Sequence, residues 1–486
     1  MINPLDKKRA DKSLLNHKMN TTGHAWRKAL IPMWVALMGG IISTAAMGQN
    51  QLIAMTDDQL SQTTGQALMS MSYIAPGDAL NLESKRNSGE RNVGFYKLGL
   101  EADVELNANI RKLQLGCGGI NGPGGCDLDI DNLALSGIKL DAQGNFVAMT
   151  SEERVSSSAL ISNPFFEFAI RNPESSSTRE MLGLRVSAEK VVGLLTVGTD
   201  NNTANGINSF SGYMKINGYG NATTAAGVFG LNPGEVVNTI ADINILLCTT
   251  GCGNGKGLTA GYGNDKNTGL NIPSMQAPFQ VNNAVVSGNR LKSARVDAIA
   301  QIPNIPITHD SGQLGVRLND KVCVLFAACV QNTFIKLETT ISGLEAKIKF
   351  DEGLGYIHNL PISSAAYLGL QAQAIQWPDA EEVAQRGWWL SLQDPINLGD
   401  ISPRDAVDIA TVYPQFAKIL GEKLAEDEYR IKVNLWDGLT ALFNAGITKT
   451  VSPVNVTGNS VEINLNNLIL KSQAVTPNCY GGLKFC

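Results

Sequence analysis

Apolar and polar residues alternate with a period of two in many short runs along this chain. The clearest run covers residues 127–135 and reads Asp-Leu-Asp-Ile-Asp-Asn-Leu-Ala-Leu, and an earlier run begins at Val104. Successive side chains of a strand point to opposite faces, so this period predicts strands with one buried and one solvated face. The pattern indicates a chain built mainly from half-buried β-strands.

The same pattern returns near the C-terminus. Residues 462–470 read Glu-Ile-Asn-Leu-Asn-Asn-Leu-Ile-Leu and follow the alternation of residues 127–135 position by position. Each run adjoins a Gly-containing loop that lies between two cysteines. The likeness suggests, as a hypothesis, that the two runs lie in one sheet or occupy equivalent places.

Further strand-like runs fill residues 91–400, with turn signals at intervals of about 8–12 residues. Two tracts rich in Gly and Asn, residues 217–234 and 251–263, are interpreted as connections between strands. No fixed repeat length holds, so a solenoid is not predicted. We expect a mainly β fold, an elongated antiparallel sheet, sandwich or roll with disulfide-closed loops. The clearest other strand runs are residues 165–170, 213–216, 241–245, 294–302, 334–337 and 344–350.

One late helical segment is predicted at residues 401–430. Ser402 can cap a helix that has Pro403 at its first position, and apolar residues recur at helical spacing through the segment. Pro414 is expected to kink this helix or split it in two. We interpret the helix as covering a sheet edge or end, with partner binding as the alternative. Residues 431–486 are predicted to return to strands and a disulfide loop.

The first 48 residues have the order of a secretory signal peptide. Basic residues precede an apolar run at residues 29–46, and Ala46 and Gly48 fit the −3 and −1 positions of a cleavage site. An uncleaved anchor is the alternative, but glycine and hydroxyl residues weaken the run as a span of about 20 apolar residues. We therefore expect export, with residues 49–90 forming a short helix and a linker.

All eight cysteines follow the predicted leader and fall into four local pairs. An even count in an exported chain indicates disulfides. A metal site is the alternative, but the spacings do not match zinc motifs and no histidine lies nearby. Each such closure is worth roughly 2–3 kcal/mol in the loop-entropy treatment. The predicted pairs are Cys117/Cys126, Cys248/Cys252, Cys323/Cys329 and Cys479/Cys486.

Two parts of the chain resemble a known group of proteins. Residues 57–66 contain the block Asp-x-x-Leu-Ser-x-x-Thr-Gly-Gln, and a second patch contains Asn-Pro-Phe-Phe-Glu-Phe at 163–168, Gly-Leu-Arg-Val at 183–186, Gly193 and Ser-Phe-Ser-Gly at 209–212. These residues are similar to large exported proteins of Gram-negative bacteria in the Fil-type group of pilus-associated or surface-filament proteins. The spacer at residues 199–208 is longer and richer in Asn than that group's pattern. The resemblance covers about a third of the chain and implies an envelope or surface location and a non-enzymatic role.

Catalytic chemistry is sparse in this sequence. The two histidines after the leader, His309 and His358, lie in predicted loops, and no Gly-x-Ser-x-Gly elbow is present. Residues 251–257 lack the Ser/Thr of a phosphate loop. The aspartates of residues 127–131 lack the Gly and Glu of a calcium loop and are interpreted as the wet face of a strand. Calcium binding by loops such as residues 200–202 stays open, but we expect no enzyme activity, no cofactor and no metal site.

Three tryptophans form the remaining conspicuous group. Trp388 and Trp389 are adjacent, so on a strand they face opposite ways. One of these two is therefore expected to join the core, and the other to be available for a subunit or ligand contact.

These observations favour a non-enzymatic structural or interaction protein of the bacterial cell surface, associated with a pilus or filament. The formal charge of −5 makes nucleic acid an unsuitable partner. The expected partners are other surface or pilus proteins, or further copies of the chain. The alternative is an envelope carrier of lipid or another hydrophobic ligand. Unfilled apolar space between sheet and helix would favour the carrier, and a packed core with free strand edges would favour the assembly protein.

Overall fold

The computed structural model describes residues 68–122, 124–142, 145–262, 269–308, 315–324, 328–330, 334–442 and 447–479. The predicted signal peptide, the resemblance block at residues 57–66, His309 and Cys486 lie outside the described residues. The export prediction and the fourth cysteine pair therefore stay predictions.

Strands account for most of the regular structure. They are β1 (Met69–Ile74), β2 (Val93–Leu100), β3 (Asp103–Leu106), β4 (Ala108–Leu115), β5 (Leu128–Ser136), β6 (Ala159–Arg171), β7 (Glu180–Thr196), β8 (Ile207–Thr223), β9 (Gly227–Phe229), β10 (Val236–Asn244), β11 (Cys248–Thr250), β12 (Gly253–Gly261), β13 (Leu270–Ile272), β14 (Gln276–Leu291), β15 (Ser293–Gln301), β16 (Ile305–Ile307), β17 (Gly315–Leu318), β18 (Val322–Val324), β19 (Ala328–Val330), β20 (Phe334–Ser342), β21 (Glu345–Gly353), β22 (Asn359–Ile362), β23 (Ala366–Gln371), β24 (Gly387–Leu392), β25 (Ile396–Asp400), β26 (Ile431–Asn434), β27 (Ile447–Thr450), β28 (Val454–Asn455) and β29 (Ser460–Asn466).

The helices are short by comparison. They are α1 (Leu82–Lys85), α2 (Ser151–Val155), α3 (Tyr413–Leu424) and α4 (Leu435–Leu442), with 3₁₀ turns at Gly119–Asn121, Leu354–Tyr356 and Ala410–Val412. The mainly β fold expected from the alternation is confirmed, and each of the strand runs named above lies within or overlaps a strand.

The largest sheet of the described residues has 16 strands. Its main path runs β1-β2-β6-β7-β23-β24-β8-β14-β15-β21-β29. Strand β5 pairs with β4, β7 and β8, so β7, β23, β24, β8 and β5 form a closed circuit of pairings. A second sheet of eight strands follows the order β16-β20-β17-β12-β10-β26, with β27 and β28 also on β20.

The sheets are mainly antiparallel, as expected, with some parallel pairs that the alternation did not predict. In the main sheet, β24 and β25 pair parallel to β8, and β29 pairs parallel to β21. In the second sheet, β26 pairs parallel to β10, and β27 and β28 pair parallel to β20. Every parallel pair joins an earlier strand to one from the last hundred or so residues of the chain. These late strands arrive after long connections, so no tight hairpin sets their direction.

The two similar runs lie in the same sheet without pairing to each other. Residues 127–135 contribute to β5 and residues 462–470 to β29, which is the last strand of the main path. The likeness extends to the backbone, because Asn132 and Asn467 occupy matching positions and both have positive φ, 49° and 52°. Asn tolerates this left-handed conformation better than other side chains. The hypothesis of one shared sheet is therefore confirmed.

The Gly-rich tracts contain strands, contrary to the prediction. β8 continues through Gly218 and Gly220 to Thr223, and β12 occupies most of the tract at residues 251–263. The ring of Phe279 fills the space that a Cβ at Gly220 would need. Glycine here permits close packing between neighbouring strands rather than a turn.

The late helix exists but begins later than predicted. α3 starts at Tyr413, because the Ser402 hydroxyl is used elsewhere, donating to Asp400 and accepting from the Asn221 N–H. Pro414 lies in the first turn of α3, where its missing N–H costs no helical bond and causes no kink. The amide of Gln415 exchanges hydrogen bonds with the backbone of Glu462 in β29 (2.9 and 2.8 Å), so the interpretation of a helix covering a sheet edge is confirmed.

Two further elements were not predicted. Residues 69–74 were expected to be linker and instead form β1, and the 431–486 region contains α4 in addition to its strands. The Met-Ser alternation of β1 was a usable strand signal, but it is short and adjoins a segment interpreted as helix.

Three of the predicted disulfides are present. Cys117 with Cys126, Cys248 with Cys252, and Cys323 with Cys329 each lie at bonding distance. Each closes a loop at a strand end, and their presence fits an oxidising compartment. Among the described residues, no helix is both long and apolar enough to cross a membrane.

Candidate functional site

Six neighbouring strands, β1, β2, β6, β7, β23 and β24, present one apolar face. Cross-strand register aligns their side chains into two rows. The first row is Met71, Leu98, Phe166, Val186, Leu368 and Leu390. The second is Tyr73, Tyr96, Phe168, Leu184, Leu370 and Trp388. We call these two rows, with Met69, Leu100, Ile170 and Met181, the apolar face.

The apolar face is exposed at its β1 side. Met71 is 80% exposed, Met181 60% and Phe166 50%, whereas Leu368, Leu390 and Trp388 at the other end are half-buried. Neither row contains a charged side chain. Soluble monomers rarely expose continuous apolar patches of more than a few hundred Å², and larger ones mark interaction sites. The face is therefore the strongest candidate for a functional surface among the described residues.

The opposite face of the same strands is fixed by a buried ion pair. Arg185 and Glu167 have side chains only 3% exposed and bond directly to each other. The Arg185 guanidinium also donates to the Pro378 carbonyl (2.7 Å) and lies over the rings of Tyr367 and Trp377 (4.5 and 5.1 Å). Burial raises the pKa of the Glu167 carboxyl, and the charge of Arg185 opposes that rise. These contacts on the buried face link β6, β7 and β23.

The resemblance motifs map to this region. Glu167 and Arg185 belong to the patches at residues 163–168 and 183–186, and the same patches supply Phe166 and Val186 to the apolar face. These two motifs of the second patch therefore contribute to both sides of one part of the sheet.

Trp388 and Trp389 point to opposite faces, as predicted. Trp377 and Trp389 are each 2% exposed and belong to the core of the buried face. Trp388 points the other way, onto the apolar face, and its backbone N–H donates to the Asp127 carboxylate (3.0 Å). The β4–β5 hairpin therefore covers the β24 end of the apolar face.

The three aspartates of the calcium-like stretch have two different environments. Asp129 and Asp131 lie on the polar side of β5 and both pair with the Lys112 ammonium (2.6 and 2.9 Å), as the wet-face interpretation predicted. Asp127 is buried and accepts hydrogen bonds from Trp388 and Asn121. Within the described residues no group of three or more His, Cys, Asp or Glu side chains is placed to hold a metal ion.

The remaining sequence candidates are structural in their contacts. His358 is fully buried, its Nδ1 lies 3.0 Å from the Val197 carbonyl, and burial lowers its pKa. In the loop at residues 200–202, the Asp200 carboxylate accepts the N–H and side-chain amide of Asn202. The backbone N–H of Gly255 in β12 donates to the Asp242 carboxylate, which belongs to the neighbouring strand β10.

Little space remains between the main sheet and α3. An apolar cavity there has a volume of about 50 Å³ and is lined by residues such as Ala222, Phe416 and Val461. A second cavity of about 50 Å³ lies on the main sheet beside Ile401 and Leu470, without a lining residue from α3. Ligand pockets usually measure several hundred Å³. A larger, open groove of about 960 Å³ lies on the other side of the sheet over β14 and β15. Its lining mixes Tyr219 and Ile299 with Asp297, Lys347 and Lys349.

Sequence reasoning missed the apolar face. The run at residues 165–170 has Phe166, Phe168 and Ile170 on one side and Phe165 and Ala169 with Glu167 on the other, and apolar residues on both sides normally mean burial on both sides. The usable signal was the coincidence of such runs with an uncharged Met-Ser strand.

Comparison with protein-family models, curated proteins and solved structures finds no match for this chain.

Proposed function

We propose that this protein is a non-enzymatic structural and interaction protein of the bacterial cell surface, associated with a pilus or filament. The observation that carries the proposal is the exposed, uncharged apolar face beside the outer edge of β1. A face of this kind is costly to leave in water, and the buried face already stabilises the strands beneath it. Its exposure is therefore best explained by a partner that covers it.

The setting of the chain supports an envelope role. A predicted signal peptide, disulfides that suit an oxidising compartment, and the resemblance to exported surface-filament proteins point in the same direction. Disulfides at strand ends also suit a protein that must keep its shape outside the cell.

A carrier of lipid or another hydrophobic ligand is the second candidate, because an exposed apolar face also accepts acyl chains. Such a carrier needs space for its ligand between sheet and helix, and the cavity there measures only about 50 Å³. The packing therefore favours the interaction protein over the carrier.

The test compares two exposed valines. Val186 lies on the apolar face and is 42% exposed, and Val285 lies elsewhere on β14 and is 53% exposed. Envelope fractions of cells that express the wild-type protein, Val186→Glu or Val285→Glu would be solubilised gently, and the protein analysed by native mass spectrometry. We expect protein complexes with the wild type and Val285→Glu and their loss with Val186→Glu. Lipid adducts lost only with Val186→Glu would support the carrier instead, and identical spectra for all three proteins would contradict both functions.

A further inference from the structure

We propose that the partner of β1 is a second copy of this chain, which pairs antiparallel with β1 across a two-fold axis at Met71. The proposal rests on the function proposed above and names the partner at the β1 edge of that surface. It depends on which backbone groups of β1 are unused, on the symmetry of its side chains, and on its lack of charge.

The free backbone groups of β1 follow from its pairing with β2. The Glu101 N–H donates to the Leu68 carbonyl (2.9 Å), which makes this the first hydrogen-bonded pair of the ladder. Hydrogen-bonded residues alternate along an antiparallel strand. The groups of Ser70, Ser72 and Ile74 therefore face β2, and those of Met69, Met71 and Tyr73 point away from it. Among the described residues no strand pairs with that outer edge of β1.

The side chains of β1 are symmetric about Met71. In a two-fold antiparallel pair centred there, Met71 lies opposite Met71, Met69 opposite Tyr73, and Ser70 opposite Ser72. Each of these pairs joins residues of the same kind, apolar on one face and hydroxyl on the other. The outward-pointing residues are then the hydrogen-bonded ones, so the pairing forms a regular ladder with every free group of residues 69, 71 and 73 used.

The same register joins the apolar faces of the two copies. The first row would continue from Leu98 through Met71 of one copy to Met71 and Leu98 of the other. Met71, the most exposed large apolar side chain of the described residues, would then contact the Met71 side chain of the second copy. The strand MSMSYI contains no charged residue and no proline, the two devices by which edge strands usually prevent such pairing. It also offers no charge by which a different, charged partner would be selected.

Charge swapping at the two-fold axis gives the sharpest test. Met71→Lys and Met71→Glu each place like charges opposite each other, so each variant is expected to dimerise about tenfold more weakly or worse. Mixing the two variants places Lys opposite Glu and is expected to restore the dimer. The matched control is Met181→Lys, which changes another exposed methionine of the apolar face. Met181 lies on β7 and not on the pairing strand, so this variant should still dimerise. Sedimentation velocity of the purified full chain measures the dimer in every case.

A second variant separates pairing from side-chain effects. Because the Met71 N–H points away from β2, Met71→Pro removes a donor to the copy and leaves the β1–β2 bonds intact, so it too should weaken the dimer. A wild-type protein that stays monomeric, a Met71→Lys protein that still dimerises, or a mixture that fails to restore the dimer would overturn the second-copy proposal. The proposed function fails separately, when Val186→Glu leaves the envelope complexes unchanged.

Discussion

At the scale of single residues, the buried pair of Glu167 and Arg185 has the largest expected effect on stability. Both side chains are almost fully enclosed, and the guanidinium has ring faces and a carbonyl around it in addition to the carboxylate. Removal of one partner of such a pair leaves the other charge buried and uncompensated. This arrangement makes the positions of β6 and β7 depend on two side chains.

Glu167→Gln is therefore expected to lower the free energy of unfolding by about 3 kcal/mol or more. The control is Glu189→Gln, the same change in an exposed carboxylate 3.4 Å from Lys97, which should cost less than about 1 kcal/mol. Urea unfolding followed by circular dichroism measures both. Equal losses for the two variants would contradict the account of the buried pair.

Glu352 should make stability depend on pH. Burial raises its pKa to about 7 from the usual 4.5, and only one of its oxygens has a partner, the Leu468 N–H (3.0 Å). Between these two values the folded state keeps a proton that the unfolded state has lost. The stabilisation from this group is therefore complete at low pH and is lost as the pH rises toward 7.

Glu352→Gln removes this dependence. We expect the variant to match the wild type near pH 4.5 and to exceed its free energy of unfolding by about 3 kcal/mol at pH 8. The exposed Glu428→Gln serves as the control and should match the wild type at both pH values. A Glu352→Gln protein that is no more stable than the wild type at pH 8 would show that the carboxyl ionises without penalty.

At the scale of elements, asparagines with positive φ shape the strands of the main sheet. Asn132 has φ of 49°, a conformation that β-branched residues adopt only under strain. Asn132→Val is expected to destabilise the protein by about 1–2 kcal/mol, and Asn132→Gly to change stability by only a few tenths. Asn464→Val, at an exposed strand position without positive φ, is the control. Thermal unfolding ranks the three variants, and an Asn132→Val protein as stable as the control would contradict the strain.

The edge of β29 is closed by a side chain instead of a strand. The Gln415 amide accepts from and donates to the Glu462 backbone, and Gln415→Ala removes both bonds. We expect a loss of about 1–3 kcal/mol and faster amide exchange at Glu462. Lys418→Ala, an exposed change in the same helix, should alter neither. Unchanged exchange at Glu462 in Gln415→Ala would mean that this edge is protected by other contacts.

The elements differ in how well the sequence predicted them. Runs such as residues 344–350 alternate clearly and were predicted correctly, since burial on one face leaves its period in the sequence. Strand segments rich in glycine, such as the end of β8, were missed because glycine contributes no side chain to either face. The start of α3 was placed at Ser402 because a Ser-Pro pair satisfies the rules of a helix cap and of a bridging loop equally well.

At the scale of the whole sheet, long-range pairing decides features that local patterns do not contain. The parallel addition of β29 to β21 and the closure of β5 onto β7 and β8 join residues far apart in the chain. The apolar face is a product of the same pairing, because its rows draw on six strands from two distant parts of the sequence. No single strand shows whether a second apolar side is covered or exposed.

The central claim is that the apolar face is covered where the protein acts. Methionine oxidation tests it directly, because Met69, Met71 and Met181 lie on that face and Met214, 2% exposed, lies in the core. Intact envelopes and dilute purified protein would be treated with the same oxidant, and each methionine followed by peptide mass spectrometry. We predict that the three face methionines oxidise rapidly in dilute protein and are protected in envelopes, with Met214 slow in both. Equal oxidation of the face methionines in both samples would contradict the claim.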